Sequence, residues 1–485
     1  VTDTPKPAAV VVLAAGQGTR MRSALPKMLH RIGGRSLVGH VITAARELEP
    51  RRLAVVVRHE RELVAAAVTE LEPRAIVVDQ DEIPGTGRAV QCAVEALGDS
   101  IEGAVMVLAG DIPLLDGATL GRLLATHSAD GNAVTVLTTE VADATGYGRI
   151  VRDAAGDVVA IVEHKDATPE QREIREINSS VYVFDAAVLR AGLASLGTDN
   201  AQGEVYLTDV IAFARQAGGS VRALVSDDPM TVEGVNDRVA LAALGAELNR
   251  RVLDRWMRAG VTIVDPRSVW IDVDVELAED VTILPGVQLH GATRVETGAT
   301  IGPDTTLTDV EVGAGATVVR THGNLAVIGE GASVGPFAYL RAGTNLGRDG
   351  KIGTFVETKN AEIGEGSKVP HLSYLGDATV GEHTNVGAAS VTVNYDGEKK
   401  HRTVIGSHAR TGADNMFVAP VTVGDGAYTA AGSVIVKDVP PGALGVGRAQ
   451  QRNIDGWVAR RRPGSAADRA QAAAQAAEAA KEGKN

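Results

Sequence analysis

Apolar residues change rhythm along this chain, and each change marks a different kind of structure. As far as residue 239, short β-branched runs alternate with longer stretches of helical period: "AAVVVLA", "LVGHVITAARELE", "RLAVVVR", "ELVAAAVTELE", "AIVVD", "GRAVQCAVEAL" and "AVMVLAG" follow one another. Strands alternating with helices predict an open, mostly parallel sheet, an α/β Rossmann-like domain over residues 1–239. Ligands of such sheets bind beyond the carboxyl ends of the strands, where strand order switches. The stretch "ALAALGAELNRRVLDRWMRAG" keeps a helical period, has no proline and closes on Gly260, so residues 240–262 read as a connecting helix.

Beyond it aliphatic residues recur every six positions, at Leu277, Ile283, Leu289, Val295, Ile301 and Leu307, and again at Ile328, Val334, Leu340, Leu346 and Ile352. A period of six suits neither a helix nor a two-faced strand. It suits a left-handed parallel β-helix over residues 263–458, in which six residues form one flat side of a triangular coil and the aliphatic one points inward. The register breaks at "GAASVTVNYDGEKKHRTV", residues 387–404, which reads as a loop ejected from the coil, a common seat of function. Residues 459–485 are Ala-rich without an apolar face and are expected to be a mobile tail with at most transient helix.

Composition narrows the function. A chain of 485 residues exceeds one ordinary core, in keeping with two domains. Its net charge of -13 argues against nucleic-acid or membrane-surface binding, so anionic substrates must be met by local cations. Cys92, the only cysteine, sits in a helical pattern as a small buried hydrophobe, which suits a reducing cytosol. The start "VTDTPKPAA" lacks the order of a signal peptide and no apolar run reaches membrane-spanning length, so a cytoplasmic protein is expected.

The first chemical motif is "VVVLAAGQGTRMRSALPK", residues 10–27. It is neither a dinucleotide fingerprint nor a P-loop. Gly16 and Gly18 nevertheless let main-chain N–H groups approach an anion, and Arg20 and Lys27 add fixed positive charge. Asp111 in "VLAGDIPLL" follows a strand, where it either holds Mg²⁺ or caps the next helix. "DEIPGTGRAV" and "GYGRI" add Gly-rich turns, and "VEGVNDRVAL" places Asn236 ahead of a helix. Together these describe a nucleoside triphosphate site with an oxygen-only metal site, suited to phosphoryl or nucleotidyl transfer.

"LAAGQGTRM", "PK", "PGTGRAV", "GD", "GYGRI", "EH", "IN" and "GVND", in this order ahead of hexapeptide repeats, resemble the bifunctional family that joins an N-acetylglucosamine-1-phosphate uridylyltransferase to a glucosamine-1-phosphate N-acetyltransferase. The resemblance covers roughly residues 8–460 and implies synthesis of UDP-N-acetylglucosamine for cell-wall precursors. It implies that Leu13, Ala14, Ala15 and Gly16 contact the nucleotide, and that Arg20 and Lys27 act on the phosphates as catalytic cations. Gln80, Gly85 and Thr86 would read uracil, Asp111 and Asn236 would ligate Mg²⁺, and Gly148, Glu163 and Asn178 would hold N-acetylglucosamine-1-phosphate. The family usually has glycine two residues after that Asn; here "INSSVYVF" has Ser180.

Acetyl transfer to an amine needs a proton acceptor, and histidine is tuned for it near neutral pH. "KVPHLSYLGDA" offers His371 with Tyr374; alone, such a histidine reads equally as a surface or stacking residue. Arg341 and Lys359 lie a turn or two earlier, as phosphate ligands or as ordinary exposed cations. The resemblance makes His371 the general base and gives glucosamine-1-phosphate to Arg341, Lys359, Tyr374 and Asn385. It gives acetyl-CoA to Ala388, Asn394, Tyr395, Ala431 and Arg448, and to Ala413, where many relatives carry serine. It further implies a homotrimer, with Trp457 of "NIDGW" leaning on a neighbour or covering its own coil. The rival expectation is a sugar-phosphate nucleotidylyltransferase whose β-helix only assembles it.

Overall fold

The computed structural model describes residues 5–482; the first four residues and the last three of the expected tail lie outside the described residues. The chain divides into two compact units at Ala342 and Gly343, a division that falls inside the repeats rather than at their start.

In the first unit the central sheet runs Val221–Ser226, Val134–Glu140, Glu176–Asp185, Ala104–Ala109, Ala9–Leu13, Leu53–Val57 and Ile76–Asp79. Ala9–Leu13 pairs in parallel with Leu53–Val57 on one side and Ala104–Ala109 on the other, so the turn after it opens at the switch in strand order. The sheet is more mixed than the alternation suggests, because Glu176–Asp185 is antiparallel to both neighbours. That strand follows the antiparallel pair Arg149–Arg152 and Val158–Val162 instead of a helical crossover.

Both faces of the sheet are buried. Ala9 and Val11 pack into one layer with Ala54, Val56, Val105 and Val107. Val10 and Val12 pack into the other with Val55, Val57, Met106 and Leu108, as the two-residue period of a strand requires. Cys92 is buried in the first layer, on the helix Thr86–Leu97. The connecting helix runs Arg238–Arg258, its start capped by the Asp237 carboxylate, which accepts from the Val239 and Ala240 N–H groups. Its buried Asn249 accepts from the Ile271 N–H at 3.0 Å and donates to the Val269 carbonyl at 2.8 Å, tying the helix to the first coil.

From Thr262 the backbone winds into a left-handed parallel β-helix whose short strands pair with strands one turn on. In the first unit Leu277 stacks on Val295, Ile283 on Ile301 and Leu289 on Leu307, all buried. In the second, Leu346 stacks on Ile363, Ile352 on Val369 and Phe417 on Ile435. The segment expected to leave the coil at 387–404 leaves it over a shorter span: Val391–Val393 pairs with Met416–Val418 and Thr403–Ile405 with Ala378–Val380, so the loop proper lies between Val393 and Thr403 and the coil closes beneath it in register.

Residues Ala466–Glu482 form an exposed helix, a firmer structure than the transient one expected of that tail. Alanine is the best helix former without an apolar face, and Ser465 starts this helix by accepting from the Asp468 N–H at 3.1 Å.

Candidate functional site

Two adjoining cavities open at the carboxyl edge of the central sheet. The larger, about 330 Å³, is lined by Leu13, Ala15, Gly16, Lys27, Gln80, Gly85, Thr86 and Asp111 among others. The smaller, about 180 Å³, is lined by Glu163, Asn178, Tyr182 and Thr208, and the two share Leu13, Thr86, Ser180 and Glu204. A still larger hollow of about 910 Å³ touches the first motif only at Leu25 and includes none of the expected site residues; its Arg35 and Arg46 are held by Asp274 and Glu72.

At the glycine loop the expected cations rest on the expected metal ligands, although of these four residues only Lys27 and Asp111 line the larger cavity. Lys27 Nζ donates to Asp111 Oδ2 at 2.5 Å, and Arg20 Nη2 donates to Asn236 Oδ1 at 2.7 Å. Gly18, at φ 63, is where the loop crosses Lys27: a Cβ there would sit 2.5 Å from the lysine Cβ. Asp111 caps no helix, since Asp116 caps Gly117–Ala129. Instead its carbonyl accepts from the Val235 N–H at 2.9 Å, bringing the Asn236 segment to the end of strand Ala104–Ala109.

At the other end of this cavity Gln80 Nε2 donates to the carbonyls of Ile83 and Gly85, at 3.0 and 3.2 Å. Gly85, at φ 121, admits only glycine, because a Cβ would lie 2.2 Å from the Val205 carbonyl oxygen. Thr86 Oγ1 accepts from the Leu207 N–H at 3.2 Å. Ala14 is the exception among the expected nucleotide contacts: it is buried, with its N–H on the Val56 carbonyl.

In the smaller cavity Asn178 Nδ2 donates to Tyr182 Oη at 2.6 Å, and its backbone N–H donates to the Gly148 carbonyl at 3.0 Å. Glu163 accepts from Thr208 Oγ1 at 3.4 Å. Burial raises the Glu163 carboxyl above its ordinary range, aided by repulsion from Asp166, Asp209 and Glu204. Burial, then the charge of Glu163, raises the Tyr182 phenol as well. Tyr182, Thr208 and Glu204 escaped the sequence reading: an aromatic in a β-run reads as core, and "EVYLT" carries no phosphate or metal signature.

In the second unit the coil converts sequence period into columns. Thr354 pairs with His371, the Ala389 N–H donates to the His371 carbonyl, the Asp414 N–H to that of Ala388, and the Gly432 N–H to that of Ala413. These bonds run up one corner, on which His371, Ala388, Ala413 and Ala431 are set in successive turns. The His371 ring is exposed and, among the described residues, takes part in no hydrogen bond, while Ser373 Oγ donates to its carbonyl at 2.7 Å. Asn385 lies on the same side, stacked between Lys368 and Arg410.

Lys359 and Tyr374 stand on the next side, in paired strands Glu357–Ile363 and Tyr374–Val380. Here the sequence reading missed Asp377, which accepts from Asn360 Nδ2 at 2.7 Å and from Asn394 Nδ2 at 2.6 Å. Burial works against the charge of Asp377, yet these amides together with Lys359 and Lys400 hold its carboxyl below the usual range. The ejected loop turns back on itself: Tyr395 bridges Lys400, and Asp396 accepts from the N–H groups of Glu398 and Lys399 and pairs with His401 at 2.6 Å. Arg341 closes the first unit after strand Ala338–Leu340; Arg448 is exposed beyond Leu444–Gly445, and Trp457 is exposed with the Arg462 guanidinium 5.8 Å from its ring.

Comparison with known proteins agrees with both halves. The sequence model of the MobA-like NTP transferase domain matches residues 10–201. The bifunctional protein GlmU of Kineococcus radiotolerans is 64% identical over 473 residues, 97% of this chain and 96% of the relative. This chain belongs to the bifunctional GlmU family. GlmU of Pseudarthrobacter chlorophenolicus is 63% identical over 98% of this chain and 97% of its own length, and that of Streptomyces avermitilis 62% over 96% and 97%.

Within this GlmU-family chain the donor set beside the glycine loop fits a magnesium ion. Asp111 and Asn236 offer only hard oxygen donors, and both oxygens already accept from cations. Gly234 adds no side chain there: a Cβ on it would lie 3.4 Å from Asp111 Oδ2.

Proposed function

We propose that the two halves catalyse successive steps. The β-helix transfers the acetyl group of acetyl-CoA to the amine of glucosamine-1-phosphate, releasing CoA thiol. The N-terminal domain joins UTP to the resulting N-acetylglucosamine-1-phosphate, giving UDP-N-acetylglucosamine, a cell-wall precursor, and pyrophosphate. The observation that carries this reading is the extent of the GlmU likeness, which covers 97% of the chain and therefore both halves. A nucleotidylyltransferase with a merely scaffolding coil would owe nothing to the second half.

In the uridylyl site the sugar phosphate is already an anion, so attack on the α-phosphorus of UTP needs no general base. Positioning and charge neutralisation do the catalysis. Lys27 and Arg20, now held by Asp111 and Asn236, take the triphosphate, while Leu13, Ala15 and Gly16 shape its cradle. Asp111 and Asn236 hold Mg²⁺, which when bound neutralises phosphate charge. Gln80, its amide N–H groups spent on the turn, presents its oxygen to the N3–H of uracil. Glu163 and Asn178 take the sugar.

In the acetyl site His371 removes the proton that the amine must lose, and Lys359, Tyr374 and Asn385 bind the sugar phosphate. Acetyl-CoA lies along the corner of Ala388, Ala413 and Ala431, with Asn394, Tyr395 and Arg448 as further contacts. The enzyme works as a homotrimer in the cytoplasm; among the described residues no helix is long and apolar enough to cross a membrane. The test supplies acetyl-CoA and glucosamine-1-phosphate without UTP and follows free thiol. Release by the native protein and its collapse in His371→Ala sustain the reading; no release from folded native protein leaves nucleotidyl transfer alone.

A further inference from the structure

Ser180 holds a conformation that costs a side chain something. Its φ is 61°, inside the long strand Glu176–Asp185, where pairing with Val134–Glu140 slips between Asn178 and Tyr182. Glycine would take the left-handed region freely, whereas an L side chain is crowded there. The bend is imposed from both sides: the Ser180 N–H donates to Asn178 Oδ1 at 3.1 Å, while Ser179 Oγ donates to the Leu137 carbonyl at 2.6 Å and accepts from the Val181 N–H at 3.2 Å. It carries the Ser180 side chain into the wall common to both cavities. Strain retained at a ligand-facing position is a pointer to function.

We propose that Ser180 is a specificity-determining residue for the sugar 1-phosphate, its hydroxyl hydrogen-bonding that substrate where the smaller cavity opens into the larger. The polar groups around it favour this partner over the nucleotide. Asn178 and Tyr182, bonded to each other at 2.6 Å, line the smaller cavity only, as do Glu163 and Thr208. A sugar phosphate presents both donors and acceptors, and a serine hydroxyl answers either. The inference rests on reading the smaller cavity as the sugar site, and the experiment separates the two.

The full-length protein is assayed for pyrophosphate release with N-acetylglucosamine-1-phosphate varied at saturating UTP, and then the converse, in native, Ser180→Ala, Ser180→Gly and Asn178→Ala forms. Both Ser180 variants raise KM for the sugar phosphate about five- to tenfold, the worth of one hydrogen bond, and leave KM for UTP within about twofold. Ser180→Gly also raises Tm by about 2 °C, because the strain goes with the side chain, and Ser180→Ala does not. If Asn178→Ala raises the sugar-phosphate KM while both Ser180 variants leave it unchanged, the role of Ser180 is overturned and the sugar site stands. If Asn178→Ala leaves it unchanged too, the cavity is not the sugar site and both ideas fall.

Discussion

The two regions of this chain collect their chemistry by opposite means. At the sheet edge, residues distant in sequence meet: Arg20 bonds Asn236, Lys27 bonds Asp111, and Thr86 receives the Leu207 N–H. In the coil, residues one turn apart stack, so His371, Ala388, Ala413 and Ala431 share a corner by period alone. A sheet edge lets cations be held by carboxylate and amide partners before substrate arrives; Lys27 and Asp111 side chains are only 10% and 19% exposed. A ladder leaves its groups open, as His371 is. The edge is preorganised for charge, and the coil is a shelf along which an extended substrate can lie.

If that division holds, each activity can be removed without the other. The largest effect is expected of His371→Ala, which lowers acetyl transfer about 10²–10⁴-fold, the range for a lost general base, with pyrophosphate release unchanged. Lys27→Ala is expected to lower uridylyl transfer about 10²–10³-fold, the cost of losing one preorganised charge contact, with thiol release unchanged. Removal of divalent metal by a chelator should likewise silence pyrophosphate release and spare thiol release. Joint loss in any of these experiments would break the comparison.

The same contrast explains what was legible in the sequence. The six-residue period announced the coil, since Leu289 and Leu307 stack as their spacing requires. The alternation of runs announced the α/β layers, but the antiparallel strand Glu176–Asp185 was hidden, because orientation depends on the connection and not on the run itself. The glycine loop, Asp111 and Asn236 carried chemical signals of their own; their pairing did not, since nothing local ties Arg20 to Asn236. Tyr182 and Asp377 stayed invisible for the same reason: each stands out only by its bonds to residues that the fold brings beside it.

A smaller effect sharpens the comparison through pH. His40 Nε2 bonds the Ile32 carbonyl at 2.9 Å in a buried setting, and burial lowers its pKa to about 4. An unfolded histidine takes up its proton near 6.5, so the unfolded state binds more protons between these values. Stability is therefore full above about pH 6.5 and falls as pH drops towards 4, by about 3 kcal/mol from this group. Urea unfolding of the native protein should show that acid limb, and His40→Gln, which can still donate to the carbonyl, should flatten it. Burial also lowers His30 and His127, which leaves a residual slope in the variant.

The smallest expected effect probes the shelf itself. Ala413 is exposed on the corner that continues from His371 through Ala388 to Ala431, and its carbonyl already accepts from the Gly432 N–H at 2.9 Å. The backbone there is fixed by the ladder, so Ala413→Ser adds a hydroxyl without moving the chain. If acetyl-CoA lies along this corner, one added hydrogen bond lowers KM for acetyl-CoA about two- to tenfold, with KM for glucosamine-1-phosphate unchanged. At the sheet edge a comparable addition would have to displace an existing partner of Lys27 or Arg20; on the coil it meets open surface. An unchanged acetyl-CoA KM in Ala413→Ser would remove this corner from the acetyl-CoA path, and with it the claim that the ladder's period alone builds that site.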